Sequence, residues 1–249
     1  MAPLFAPYEP NEIDLSSALQ QPSNVHWLGT DALGRDTLSR VIFGSRTSLE
    51  IGLIVVGISC AVGMLLGLLA GYYGGWTHNI IMRFIDALMA FPMILLALTI
   101  AALLGNGMRN VIIALSIAMM PGYARLMCGQ VLATKENDYV TAGRSIGARN
   151  MRIMFRHIVP NCLPPLIVLI TMMLGSVILA EAGLSFLGIG ISPPTPSWGG
   201  MIQDGRQYLL TLPILSFAPG VALMLVVFAY NMVGDGLRDT LDPRLRGAL

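Results

Sequence analysis

The chain has 249 residues, of which 55% are hydrophobic and 12% charged, with a mean hydropathy of +0.69 and a net charge of +1. A soluble domain carries about a quarter of its residues as charges, so the composition points to a bilayer as solvent. The near-zero net charge excludes nucleic acid as a partner, because phosphate binding needs Lys and Arg clustered over a whole face.

The first 34 residues hold Glu9, Glu12, Asp14 and Asp31, four prolines and no Lys or Arg, and read as an irregular, water-facing segment. No basic region precedes an apolar stretch there, so nothing marks the chain for secretion. Asp31 or Asp36 is placed to cap a short helix over Ser39 to Ser48, which ends an extracytoplasmic segment assigned to residues 1–46.

Five spans are expected, since a helix needs about 20 apolar residues to cross the hydrocarbon core. The first covers Ile51 to Tyr73, where Gly63, Gly67 and Gly71 recur every four residues as a small-residue stripe suited to close helix packing. Gly74-Gly75 ends it. The second runs from Ile80 to Leu104, with Arg83 and Asp86 near its start as a helix-face pair and Pro92 inside. The third covers Val111 to Leu132, where Pro121-Gly122 predicts a kink. Ile158 to Ala180 is the fourth and Leu212 to Val233 the fifth. Between these two, Ala182 to Gln203 is uncharged but too rich in proline for a straight helix, and reads as a re-entrant or interfacial loop with Trp198 at the headgroup level.

Orientation follows from the cations. With residues 123–160 on the cytoplasmic side, that side receives Arg83, Arg125, Lys135, Arg144, Arg149, Arg152, Arg156, Arg238, Arg244 and Arg246, and the other keeps Arg35, Arg40, Arg46, Arg109 and Arg206. The C-terminus is then cytoplasmic.

The long charged interval between spans is Asp138 to Asn161, inside a cytoplasmic loop of residues 133–160. Met151, Met154, Phe155 and Ile158 fall on one side of a helical wheel, with Arg149, Arg152 and Arg156 on the other. Two readings are open: an amphipathic helix lying against lipid headgroups, or a rigid lever docking into a cytoplasmic protein.

Single residues divide the same way. Glu181 ends an uncharged run and is either a functional acid at membrane depth or a group paired within the fold. His26, His78 and His157 are isolated, Cys60, Cys128 and Cys162 read as core hydrophobes, and no metal-type spacing occurs. A membrane-embedded enzyme would need a Ser-His pair, paired aspartates or a metal cluster at depth, and Asp86 has no Asp partner in another span. A secondary transporter would show an inverted repeat, and none is visible.

The order Tyr139-Val-Thr-Ala-Gly-Arg-Ser-Ile-Gly147, then a basic helix and Arg156-His-Ile-Val-Pro160, resembles the EAA loop of permease subunits of bacterial ABC importers. Thr141, Ala142 and Gly143 stand where the motif has Glu, Ala and Ala, while Gly147 and Pro160 match. His26-Trp-Leu-Gly-Thr-Asp-Ala-Leu-Gly-Arg-Asp36, Leu184-Ser-Phe-Leu-Gly188, Pro193-Pro-Thr-Pro-Ser-Trp-Gly199 and Gly234-Asp-Gly-Leu-Arg-Asp239 through Leu241-Asp-Pro243 narrow the resemblance to the dipeptide, oligopeptide and nickel branch, in its second, C-type permease.

The resemblance implies an all-α integral membrane protein of the type I importer permease fold, with five spans here and a sixth ahead of them, of which Met1 to Tyr8 looks like the end. It also implies partners: a second homologous permease, two cytoplasmic ATPases and an extracytoplasmic binding protein, besides membrane lipid. The ATPase contact falls to Tyr139, Thr141, Ala142, Gly143, Arg144, Ser145, Ile146, Gly147, Ala148, Arg149 and Arg152, with Asp86 and Glu181 as pathway or structural candidates. ATP belongs to the partner ATPases, because this chain has no G-x-x-x-x-G-K-[ST] loop. Peptides are expected over nickel as cargo, since no His or Cys cluster lines the spans.

Overall fold

A computed structural model describes residues 2–241. Arg244, Arg246 and Asp242-Pro243, used above, lie outside the described residues. Among those described the chain is helical, with a single antiparallel bridge between Thr30 and Asp36. The longer helices are α1 (Thr37–Tyr73), α2 (Gly75–Met89), α3 (Met93–Leu104), α4 (Met108–Thr134), α5 (Asp138–Ser145), α6 (Asn150–Phe186), α7 (Trp198–Gly205) and α8 (Ile214–Leu241). Four of them, α1, α4, α6 and α8, are long and apolar enough to cross a membrane, and α2 with α3 makes a fifth span if the pair, bent by 89°, is counted as one.

Several boundaries differ from those read in the sequence. The expected short helix at Ser39 and the first span are one element, α1, whose start is capped by Asp36 and not Asp31: Asp36 Oδ2 accepts from the Ser39 amide at 2.8 Å. The second span is broken, not straight. Pro92 has no amide to continue the ladder and restrains the residue before it, so α2 stops at Met89 and α3 starts anew at Met93. By contrast α4 runs through Pro121 without interruption.

The Trp198 ring is turned into the fold. The residue is 1% exposed, starts α7, and its indole Nε1 donates to the Val41 carbonyl at 3.0 Å. The stretch from 182 to 203 is accordingly the end of α6, a loop and most of α7.

The chain forms two compact units. Among the described residues, the first comprises 2–55, 97–115 and 174–229, and the second 56–96, 116–173 and 230–241. In the first, Ala182 receives Gly199 so closely that a Cβ at 199 would lie 2.3 Å from its carbonyl oxygen. In the second, the glycine stripe of α1 seats against α4 as expected: added Cβ atoms at Gly63, Gly67 and Gly71 would come within 2.6, 2.3 and 2.8 Å of Met120, Ala124 and Val131. Ser59 Oγ donates to the Ser116 carbonyl across the same seam at 3.2 Å.

Candidate functional site

The charged interval folds as a helix, a glycine turn and a second helix, all in the second unit. α5 begins with Asp138 in its first turn and ends with Arg144 in its last, the charge order that suits the helix dipole. It closes in a Schellman arrangement: the Ala148 amide donates to the Gly143 carbonyl at 3.1 Å and the Gly147 amide to the Arg144 carbonyl at 2.9 Å. That closure puts Gly147 at φ +77°, left-handed backbone that a side chain disfavours, while a Cβ there would meet no atom within 4 Å. The glycine is needed for its backbone and not for space. Arg149 then takes extended backbone at φ −68° and ψ 146°, and α6 begins at Asn150.

The first turns of α6 overturn part of the helical-wheel expectation. Met154 to Ile158 form a π-helical turn, in which the Val159 amide donates to the Met154 carbonyl. Pro160 offers no amide to the carbonyl four residues back, and a widened turn accommodates the lost rung. The register shifts with it. Ile153, Met154 and Ile158 are buried, whereas Met151 and Phe155, placed with Met154 and Ile158 on one side of the wheel, are 63% and 54% exposed.

Contacts hold the segment at both ends. Val140 is buried under α5. Tyr72, in the last turn of α1, donates from Oη to Asn150 Oδ1 at 2.9 Å, and the Arg144 guanidinium stands 5.5 Å over its ring. Lys135 Nζ donates to the Gly71 carbonyl at 3.2 Å. Ser145 Oγ turns back to the Thr141 carbonyl at 3.1 Å. What remains outward is Tyr139, Thr141, Ala142, Arg144, Ser145, Ile146, Gly147, Arg149 and Arg152, with Gly143 and Ala148 half-buried. Ile146 is 85% exposed at the tip of the turn. The sequence pattern missed Tyr72, Asn150 and the exposure of Phe155, since neither a contact across 78 positions nor a π-turn has a periodic signature.

Asp86 and Glu181 take different roles. Asp86 pairs with Arg125 of α4 instead of Arg83, and both partners are half exposed. Glu181, in the first unit, is fully buried, with Ser185 Oγ donating to one carboxyl oxygen at 2.7 Å and Ser48 Oγ to the other at 3.4 Å. Of the two readings open for Glu181, the pairing within the fold describes these contacts.

The first unit also carries a charged cluster that the sequence reading passed over. Asp31 Oδ2 accepts from Arg35 Nε at 2.7 Å and lies 3.6 Å from Arg40 Nε. Arg40 Nη1 donates to the Pro10 carbonyl at 2.9 Å and to Asn11 Oδ1 at 3.3 Å. His26, read as isolated, is not: its Nδ1 lies 2.9 Å from Asp36 Oδ1 and its ring packs on Tyr8. Asp204 on α7 faces the arginines, and its pKa is raised because desolvation outweighs the pull of Arg35 and Arg40. The i, i+4 spacing of Asp31 and Arg35 was the available signal.

Residues 63–247 match the family described as binding-protein-dependent transport system inner membrane component. The glutathione transport system permease protein GsiD of Pectobacterium atrosepticum is 44% identical over 246 residues, 98% of this chain and 82% of that protein. The dipeptide transport system permease protein DppC of Alkalihalophilus pseudofirmus is 44% identical over 245 residues, 98% and 81%. GsiD of Escherichia coli is 47% identical over 244 residues, 98% and 80%. Among solved structures, the inward-facing MetNI methionine ABC transporter aligns with a TM-score of 0.65 at 18% identity, over 82% of this chain and 96% of that one. An amino acid ABC transporter aligns at 0.61 and 12%, over 82% and 94%. At such identities the likeness is one of fold. On the family match and the identities together, the chain belongs to the binding-protein-dependent transport system inner membrane components, as a multi-pass permease subunit of an ABC importer.

Proposed function

We propose that this permease forms half of a translocation pathway for short peptides, of the dipeptide or glutathione class, and that α5, the Gly147 turn and the start of α6 are its contact with a cytoplasmic ATPase. The observation that carries the coupling role is the outward Ile146, Met151 and Phe155 beside Arg149 and Arg152 on a segment fixed by Tyr72. Large apolar side chains rimmed by arginine suit a protein partner better than water. The cargo class rests on the names of the relatives, which are glutathione and dipeptide permeases.

In this proposal a second, homologous permease completes the pathway, two ATPases bind the nucleotide, and an extracytoplasmic binding protein delivers the cargo. This chain contributes no ATPase site. Closure of the ATPase pair pushes on α5, and the push reaches α1 and α6 through the Tyr72 to Asn150 contact, biasing a two-state equilibrium between inward-open and outward-open forms.

The test is co-purification from membranes with a tagged chain, together with uptake of labelled dipeptide, glutathione and nickel by cells that express the whole system. Recovery of a second permease and ATPase subunits, with peptide uptake, is expected. Nickel uptake without peptide uptake would replace the cargo assignment, and Arg149 or Arg152 labelled from outside intact cells would sink the coupling role.

A further inference from the structure

The first unit contains two cavities that the coupling role leaves unused. One, of about 240 Å³, lies between the loop from Asp31 to Thr37 and the end of α7. The other, of about 250 Å³, shares Leu33, Arg35, Arg40, Met201 and Asp204 with it. Their common wall therefore carries two guanidinium groups and one carboxylate.

The charges on that wall are unevenly matched. Arg35 and Arg40 are 8% and 5% exposed, and among the described residues Asp31 is the carboxylate within ion-pair distance of either. Asp31 also accepts the Leu33 and Arg35 amides through its other oxygen, so its negative charge is shared widely. A guanidinium has five N–H donors, and the hydrogen bonds of Arg35 to Asp31 and of Arg40 to Pro10 and Asn11 leave donors over on both. Opposite them Asp204 has no ion-pair partner within 4 Å among the described residues. The Thr37 hydroxyl, on the same cavity, is buried without a hydrogen-bond partner. With Asp31 offsetting one of the two guanidinium charges, one surplus cation faces one unpaired carboxylate across the cavity, which is the complement of a small zwitterion.

The cavity walls restrict the size and character of the occupant. Each volume is below the range of about 300–1,000 Å³ that holds drug-sized ligands, so a small molecule or the end of a peptide fits and a long peptide does not. The first cavity adds apolar Leu215 beside Leu33 and Met201, while the second adds polar Asn106, Ser197 and Gln203. One lobe suits an apolar side chain and the other a polar backbone.

We infer that Arg35 and Arg40 bind the terminal carboxylate, and Asp204 the terminal ammonium, of a short peptide, making this wall a cargo subsite within the permease itself. The identity of the ligand rests on the peptide-import reading above. Planar guanidinium groups match a carboxylate in two-point geometry, which makes arginine the better residue here than lysine.

The experiment uses the complete permease and ATPase complex in lipid nanodiscs without the binding protein, with radiolabelled glycyl-leucine, N-acetyl-glycyl-leucine and glycyl-leucinamide as probes. Glycyl-leucine is expected to bind, and each blocked peptide to bind at least about tenfold more weakly. Asp204→Asn should weaken glycyl-leucine about tenfold and erase its advantage over the acetylated peptide, and Arg35→Gln should do the same against the amide. Asp204 has no ion pair to lose, so its variant carries the test even if Arg35→Gln fails to assemble. Wild-type affinity and discrimination in Asp204→Asn, or no binding of any probe to an assembled complex, overturns the subsite. Uptake of glycyl-leucine by cells measured in parallel separates the two readings: uptake without binding removes the subsite alone, and binding without uptake supports the subsite while removing peptide import.

Discussion

Tyr72 and Asn150 are joined by a hydrogen bond of 2.9 Å, which ties the last turn of α1 to the first turn of α6 at the root of the exposed segment proposed to contact the ATPase. Tyr72→Phe removes that bond and keeps the ring under Arg144, so it should loosen the segment by about 1 kcal/mol. Tyr72→Ala removes the ring as well and should loosen it further. The readout is peptide transported per ATP hydrolysed in the reconstituted complex, expected to fall from wild type to Phe to Ala. An unchanged ratio across the three would show that the bond holds nothing relevant to coupling.

Gly147 tests whether the turn matters for its backbone. Because a Cβ there meets nothing within 4 Å, substitution carries a conformational cost of about 1–2 kcal/mol and no clash. Asn tolerates left-handed backbone better than Ala or Val, so uptake should rank Gly above Asn, Asn above Ala, and Ala above Val. Membrane insertion should be equal in all four, as judged by the amount of complex recovered. A ranking by side-chain volume alone, with Asn below Ala, would point to a steric contact with the partner.

How much of this was legible in advance depended on whether the cause was local. The glycine stripe could be read because a close helix crossing demands small residues at a fixed spacing, whereas Gly147 was found through the resemblance to the EAA loop, and its left-handed backbone at φ +77° is the physical reason for a glycine there. The exposure of Phe155 could not be read, since the π-turn ahead of Pro160 shifts the wheel on which it was placed. The burial of Trp198 was hidden for a related reason: the proline-rich loop folds back so that its indole reaches Val41, 157 positions away. The Arg40 cluster was hidden because its partners Pro10 and Asn11 are 30 and 29 positions earlier in an irregular segment.

Helices α1 and α4 should be intolerant of substitution at a glycine on their seam and permissive at one away from it. At Gly67 a Cβ would sit 2.3 Å from the Ala124 carbonyl oxygen and 2.9 Å from the Cys128 amide, both backbone, so Gly67→Ala should cost about 1–3 kcal/mol. Gly122, on the exposed side of α4, has nothing within 4 Å, and Gly122→Ala should be neutral or stabilising by up to about 1 kcal/mol. Thermal inactivation of the solubilised complex distinguishes them, and equal midpoints would contradict the packing described.

The Asp86 to Arg125 pair should matter little. Both side chains are about half exposed, at 49% and 51%, and pairs of that kind contribute about 0–1 kcal/mol. Asp86→Asn and Arg125→Gln are each expected to retain near-wild-type uptake and stability. A large loss of uptake in Asp86→Asn with stability intact would instead assign Asp86 to the transport pathway.

Glu181 is the opposite case, because burial removes water as an alternative partner. Its carboxyl is the acceptor for both Ser48 and Ser185, and Ser185 Oγ in turn accepts the Ile191 amide at 3.3 Å, so one acid fixes the start of α1, the end of α6 and the loop beyond. Glu181→Gln keeps a carbonyl oxygen for one serine and should cost about 1 kcal/mol. Glu181→Ala leaves both hydroxyls without their acceptor and opens a void, which together should cost about 3–5 kcal/mol. If the acid served transport directly and not the fold, Gln and Ala would abolish uptake alike while the complex melted near the wild-type temperature. A graded loss of thermal stability, small for Gln and large for Ala, with uptake following the amount of intact complex, is the expected result.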